Sequence, residues 1–186
     1  METKPTLLLH SCCAPCSSSV IERLKNDYDI TVFYYNPNIY PKEEYAKRKN
    51  EQIRLLKQLE INLIEGKYEP EKYLECIKGL ENQKEGEPRC YECYKLRLSE
   101  TFKKAKELNF NFFTTTLSVS PMKNARWINE IGIAIQNEKC KFLVEDFKKK
   151  DGYKRSIELS KEFDLYRQNY CGCEASLFIA QHKCLK

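Results

Sequence analysis

The chain has 186 residues, 32 lysines and arginines against 27 aspartates and glutamates, and ten cysteines. That length suits one domain with a real core and demands no second, and the formal charge of +5 suits a polyanionic partner without requiring one. No window is apolar enough to span a membrane and METKPTLLLHSCC has no signal-peptide stretch, so a membrane protein or a secreted disulfide scaffold is excluded; a cytoplasmic protein is predicted, whose clustered cysteines hold metal or do redox chemistry.

Apolar runs rich in β-branched and aromatic residues alternate with amphipathic stretches along the whole chain. Thr6 to His10 reads as a strand, Ser18 to Asn26 as a helix, Ile30 to Tyr35 as a strand and Glu43 to Leu59 as a helix. Ile61 to Ile64, Phe112 to Leu117 and Lys141 to Glu145 continue the strands, and Pro70 to Glu81, Tyr91 to Leu108 and Lys123 to Gln136 the helices, with a last helical stretch over Glu174 to Gln181. This alternation predicts an α/β fold: a single-domain parallel sheet with helices on both faces, joined by right-handed crossovers. No repeat or linker divides residues 1–186, and the most loop-like stretch is NQKEGEP, Asn82 to Pro88.

Open α/β sheets bind ligands at the carboxyl ends of their strands, so the cysteines are mapped onto that edge. Cys12, Cys13 and Cys16 follow the first strand in HSCCAPCSSS, Cys90 and Cys93 open the helix that runs down to the fourth strand, and Cys171 and Cys173 precede the last helix. Seven thiols are thus expected at one site. A thiolate at a helix N-terminus gains from the dipole and the unpaired N–H groups there, which readies it for metal. Cys13-Ala-Pro-Cys16 and Cys90-Tyr-Glu-Cys93 are both C-x-x-C units, and four thiolates suit zinc or an iron–sulfur cluster. A closed zinc site is complete with four ligands and leaves Cys12, Cys171 and Cys173 without a task, whereas disulfide exchange needs one such pair rather than three groups. Cys76, Cys140 and Cys184 stand alone and read as packed thiols. The first strand-to-helix turn lacks the glycines of a nucleotide-binding loop, which argues against ATP chemistry there; Ser17, Ser18 and Ser19 read as helix-capping residues.

The runs LLLHSCCAPCSSSV, YYNPNIYPKEEY (Tyr34 to Tyr45), EPRCYECYKLRL (Glu87 to Leu98), FTTTLSVSPMKN (Phe113 to Asn124) and DFKKKDGYKRS followed by LYRQNYCGCEAS, in this order from about Leu7 to Ser176, resemble the QueH family of epoxyqueuosine reductases. The resemblance implies a nucleotide-α-hydrolase-like (Rossmann-like) α/β fold with a C-terminal helical extension. It also implies reductive deoxygenation of epoxyqueuosine to queuosine at anticodon position 34 of tRNA, and a 4Fe-4S cluster with an adjacent mononuclear iron and no cobalamin. Some members that resemble this chain carry a carboxylate where Cys16 stands. An iron–sulfur tRNA sulfur transferase and a non-catalytic zinc-bound RNA-binding module are the rival readings.

Removing an epoxide oxygen takes two electrons and two protons, so an external one-electron donor must act twice. Cys13, Cys16, Cys90 and Cys93 are expected on the cluster and Cys12, Cys171 and Cys173 on the adjacent iron, with Cys12 and Cys13 able to exchange roles. Tyr35 and Asp146 are the candidate catalytic proton donors at strand ends, and His10, just before the cysteines, equally suits a packing role. For the tRNA, Asn36, Asn38 and Tyr40 are expected to contact the unpaired base, and Arg89, Arg97, Lys123, Arg126, Lys154 and Arg167 the phosphates. The run Lys148, Lys149 and Lys150 reads first as a wet loop.

Overall fold

The computed structural model describes residues 3–183; Cys184, read above as a packed thiol, lies outside them. Five parallel strands, β1 (Thr6–His10), β2 (Asp29–Tyr34), β3 (Asn62–Glu65), β4 (Phe112–Thr115) and β5 (Lys141–Phe142), form one sheet in the order β3-β2-β1-β4-β5. Seven helices accompany them: α1 (Ala14–Leu24), α2 (Lys42–Gln58), α3 (Pro70–Cys76), α4 (Pro88–Glu107), α5 (Ala125–Ile135), α6 (Gly152–Glu162) and α7 (Glu174–Lys183).

The alternation of side chains along β1 explains the layers. Leu8 faces the helices α4 and α5, where Leu98, Ala105, Ile128 and Ile131 pack with Phe33, Phe113 and Phe142. Leu7 and Leu9 face the other way, onto Val20, Ile21 and Leu24 of α1, Leu56 of α2 and Phe147. All three leucines are fully buried, so the sheet is covered on both faces, as its near-continuous apolar strands require.

Local chemistry sets the element ends. Pro15, Pro70 and Pro88 stand in the first turns of α1, α3 and α4, where a missing N–H costs nothing. The Asn124 side chain caps α5 by accepting from the Trp127 N–H at 3.2 Å. Several predicted boundaries move. Helix α1 begins at Ala14, which brings Cys16 inside it; α3 stops at Cys76, before the left-handed Gly79; and β5 is two residues long. The fourth strand ends at Thr115, because the Thr115 hydroxyl accepts from the Leu117 N–H at 3.2 Å and turns the chain into a 3-10 helix over Thr116–Val119.

One helix is absent from the sequence reading. Helix α6 follows a turn in which Lys150 and Asp151 are left-handed, and it packs along α1 with Leu159 buried.

From β1 the chain winds outward through β2 and β3, then returns to the opposite side of β1 for β4 and β5. The loops leaving β1 and β4 therefore diverge, and the crevice between them is the topological switch point.

Candidate metal and redox site

Cys12, Cys13 and Cys16 stand at this switch point. Cys13 is the extended residue just before α1, Cys12 precedes it, and Cys16 lies one turn into the helix. Their sulfur atoms all fall within 4.8 Å of one another, with Cys12 and Cys13 Sγ 3.8 Å apart. The Thr116 hydroxyl, from the end of β4, lies 3.8 Å from Cys12 Sγ, and Gln168 Nε2 donates to Cys13 Sγ at 3.0 Å. Hydrogen bonds from Cys13 and Cys16, aided by the charge of Arg97, hold Cys12 well below the usual thiol range, while Cys13 and Cys16, as the donors, are pushed up. Of these three, Cys12 is therefore the one held toward the thiolate.

Cys90 and Cys93 lie in the first turns of α4, and Cys171 and Cys173 lie on the strap that leads into α7. Cys93 and Cys173 share a buried cluster with Tyr73 and Ile77. Burial raises Cys90, which receives the Gly86 N–H at 3.3 Å, and pushes Cys93 up to about 12 against the pull of Arg97. Against its burial, Cys173 is held below the usual range by Ser176 and Arg89. The two C-x-x-C units do not merge into one compact set: among the described residues the group of three or more ligand atoms in close reach is Cys12, Cys13 and Cys16.

Basic residues surround these thiols where sequence reasoning had placed RNA phosphates. Lys123 Nζ lies 2.6 Å from Cys171 Sγ and 3.4 Å from a Glu85 oxygen. Burial opposes its charge, but Cys171, Tyr94 and Glu85 together hold it well above the usual lysine range. Arg89 Nη1 donates to Cys173 Sγ at 3.3 Å, and Arg97 Nη2 donates to the Asn36 Oδ1 at 2.6 Å. Arg89, Arg97 and Asn36 are buried, which closes them to a nucleic-acid backbone, and Asn38 is buried as well. Tyr40, Arg126, Lys154 and Arg167 are exposed.

The strap carrying Cys171 and Cys173 is fastened by residues that the sequence reading missed. Arg48, buried on α2, donates to the Cys171 carbonyl at 3.1 Å and the Tyr170 carbonyl at 3.2 Å while its Nε holds Glu44 at 2.7 Å. Gly172 has φ +133, a conformation closed to L side chains, and a Cβ there would come within 3.1 Å of Arg48 Nη1. Its carbonyl accepts from the Tyr40 N–H at 2.8 Å, so the thiol strap and the exposed Tyr40 loop are tied together.

Neither candidate proton donor hydrogen-bonds to a thiol. Tyr35 packs in the core against Phe33 with its hydroxyl unpartnered, and burial raises it above the usual phenol range. Asp146 pairs with Lys148 at 2.9 Å. His10 braces the two strand ends: its Nε2–H donates to the Tyr35 carbonyl at 3.0 Å, and Nδ1 receives the Thr115 hydroxyl at 2.8 Å. That tautomer is required because the Tyr35 carbonyl can only accept, which puts the single proton of the neutral ring on Nε2. The isolated Cys76 and Cys140 are packed thiols, each pushed up to about 11 by burial, and all nine cysteines among the described residues are free.

Similar proteins share this frame. A solved structure, the U34-tRNA thiolase NcsA from Methanococcus maripaludis with its [4Fe-4S] cluster, superposes with a TM-score of 0.56 at 11% identity, over 98% of this chain and 66% of that one. At that identity the likeness shows the fold. Epoxyqueuosine reductase QueH of Streptococcus pyogenes is 42% identical over 91% of this chain and 69% of its own, and that of Thermotoga maritima 36% identical over 96% and 93%. The family model for epoxyqueuosine reductase QueH matches residues 7–178, which takes in all seven clustered cysteines. The chain belongs to the epoxyqueuosine reductase QueH family, a family of oxidoreductases.

Proposed function

We propose that this chain reduces epoxyqueuosine to queuosine in the anticodon of tRNA, with electrons from an external one-electron donor, on an iron–sulfur cluster and a single iron beside it. The observation that carries this reading is the three thiols gathered at the switch point of the sheet, with four more on the same edge.

The donor set fits such groups and suggests a division between them. A tetrahedral ion bound through metal–sulfur bonds of about 2.3 Å sets its thiolates about 3.8 Å apart. Cys12 and Cys13 have this separation and Cys16 is within reach, so these three are assigned to the single iron, with its fourth position open. Cys90, Cys93, Cys171 and Cys173 supply the four thiolates a cubane needs. This regroups the expected division: Cys13 and Cys16 leave the cluster for the single iron, and Cys171 and Cys173 move the other way. When bound, the cluster would supply electrons singly and the iron a Lewis acid for the epoxide oxygen.

The chain's own residues prepare this site. Lys123, Arg89 and Arg97 set positive charge against the thiolates, and Gln168 orients Cys13. His10 and Thr115 lock the ends of β1 and β4 on which Cys12 depends. Tyr40 is exposed beside the thiol strap, where its ring suits stacking on an unpaired base, and Arg126, Lys154 and Arg167 remain as surface contacts for phosphates. Tyr35 keeps an unpartnered hydroxyl in the core and Asp146 is paired with Lys148, so the proton source is assigned to neither.

The test is anaerobic reconstitution followed by iron, sulfide and turnover measurements on one sample. Roughly four to five irons per chain and conversion of epoxyqueuosine-tRNA are expected. A zinc-only preparation with full activity would sink the reading.

A further inference from the structure

Arg97 stands out among the buried charges. It follows Cys93 by four residues on α4, is only 2% exposed, and pairs with no carboxylate among the described residues. Its Nη2 donates to the Asn36 Oδ1 at 2.6 Å, a neutral amide, Cys93 is its other side-chain partner, and its Nε has no partner among the described residues. A guanidinium taken out of water is held there only where anions lie close. Once held to metal as thiolates, the groups whose charge bears on it are, largest first, Cys93, one turn before it on α4, then Cys12 and Cys171. These come from both thiol groups, Cys12 from the turn after β1 and the others from α4 and the strap.

The Asn36 amide fixes this position from the other side. While its oxygen accepts from Arg97, its Nδ2 donates to the carbonyl of Ser11, the residue before Cys12. Asn36 is itself fully buried, so the link from α4 through Arg97 and Asn36 to the Cys12 turn is rigid. His10, the other titratable group facing Arg97, stays neutral because its burial, and then the charge of Arg97, oppose protonation. Lys123 and Arg89 are differently placed, each against one strap thiol, Cys171 and Cys173 respectively.

We propose that Arg97 is the positioning residue that joins the two thiol groups into one redox unit: a permanent cation between them, whose counterions are the sulfur ligands of both. It touches no substrate. Every electron added to the metal-loaded site increases the negative charge around this guanidinium, so Arg97 makes the site easier to reduce and favours loading of both centres together. The inference rests on reading the site as an iron–sulfur centre with a second iron.

The experiment is a potentiometric titration with dithionite, followed by cluster absorbance and electron paramagnetic resonance, on anaerobically reconstituted wild type, Arg97→Gln and Asn36→Asp. Arg97→Gln removes the cation. Asn36→Asp keeps the arginine and gives it a carboxylate, which takes up its charge, at the cost of the Nδ2 bond to the Ser11 carbonyl. Both variants should be harder to reduce, by a shift reading as roughly a tenfold smaller reduced-to-oxidised ratio at the wild-type midpoint, or about 59 mV for a one-electron couple. Turnover should fall through kcat, with KM for the tRNA unchanged, and Arg97→Lys should recover part of the potential. Lys103→Gln, exposed on α4, should leave the potential alone.

If Arg97→Gln fails to fold or to take up iron, Asn36→Asp decides. An unchanged midpoint in a variant with intact iron content overturns the proposal, as does a raised KM for tRNA with no change in potential, which would make Arg97 an RNA ligand. A wild-type chain that takes up no iron instead overturns the functional reading on which the proposal stands.

Discussion

His10 offers a quantitative test of how tightly the switch point is built. Its ring is fully buried, and burial, followed by the nearby charge of Arg97, lowers its pKa from 6.5 to about 3. The unfolded chain binds a proton at His10 below pH 6.5, whereas the folded chain refuses it until about pH 3, so folding loses stability as pH falls through that window. The loss is about 1.4 kcal/mol for each pH unit below 6.5, and therefore about 2 kcal/mol by pH 5. His10→Gln keeps a donor for the Tyr35 carbonyl and leaves the Thr115 hydroxyl without its acceptor, a cost of about 1 kcal/mol near neutral pH. The variant should be the less stable chain at pH 7.5 and should draw level with wild type, or pass it, by pH 5. Urea unfolding of both proteins, followed through the lone tryptophan, Trp127, would read this directly. Parallel stability curves for the two chains would show that His10 takes up its proton in the folded state and that the brace is not as closed as the geometry requires.

Gly172→Ala should loosen the thiol strap, costing on the order of 1–3 kcal/mol for the forced backbone and lowering iron content, as judged by thermal unfolding and iron analysis of one preparation. Arg48→Ala should act in the same direction, because it removes two hydrogen bonds to the strap carbonyls, each worth about 1.5–3 kcal/mol with a charged donor. Cys90→Ser or Cys171→Ser should abolish the cluster absorbance, whereas Cys12→Ser should lose about one iron and retain that absorbance, and Cys76→Ser should do neither; cluster loss in Cys12→Ser with survival in Cys171→Ser would restore the division expected from the sequence. Binding to substrate tRNA should weaken as salt rises, and the triple variant of Arg126, Lys154 and Arg167 to Gln should flatten that dependence by roughly two to three units of slope; an unchanged slope would place the phosphates elsewhere.

The fold was legible where local pattern and tertiary role coincide. Strand β1 keeps its predicted bounds because TLLLH is buried on both faces and must read as an unbroken apolar run. Helix α2 is likewise displaced by only one residue at each end, since Leu55 and Leu56 and the flanking charges give it both a core face and a wet face. Helix α6 escaped for the opposite reason. Three lysines and Asp-Gly precede it, its buried face is largely serine and leucine, and the two left-handed residues that launch it leave no apolar signal. The strand-to-3-10 change at Thr115 rests on one side-chain hydrogen bond, which hydropathy does not carry.

The site divides along the same line. Seven cysteines in three groups identify themselves, because so many soft ligands on the edge of an α/β sheet have few other uses. Their grouping does not, since C-x-x-C spacing suggests pairs whereas the turn after β1 folds Cys12 back beside Cys13 and Cys16. Nor does the role of the arginines. In sequence, Arg89 and Arg97 look like any basic residue of an RNA-binding protein, and only the path of α4 beneath the thiols turns them inward. Under the proposed function that inversion gives the charges nearest the thiols to the metal ligands and leaves RNA recognition to the residues outside, above all the Tyr40 loop. Because the Tyr40 N–H is held by Gly172 between Cys171 and Cys173, a base stacked on that loop is placed by the same strap that presents two of the ligands. On that proposal one piece of backbone sets both substrate and metal position, and a change that shifts the strap should disturb both together.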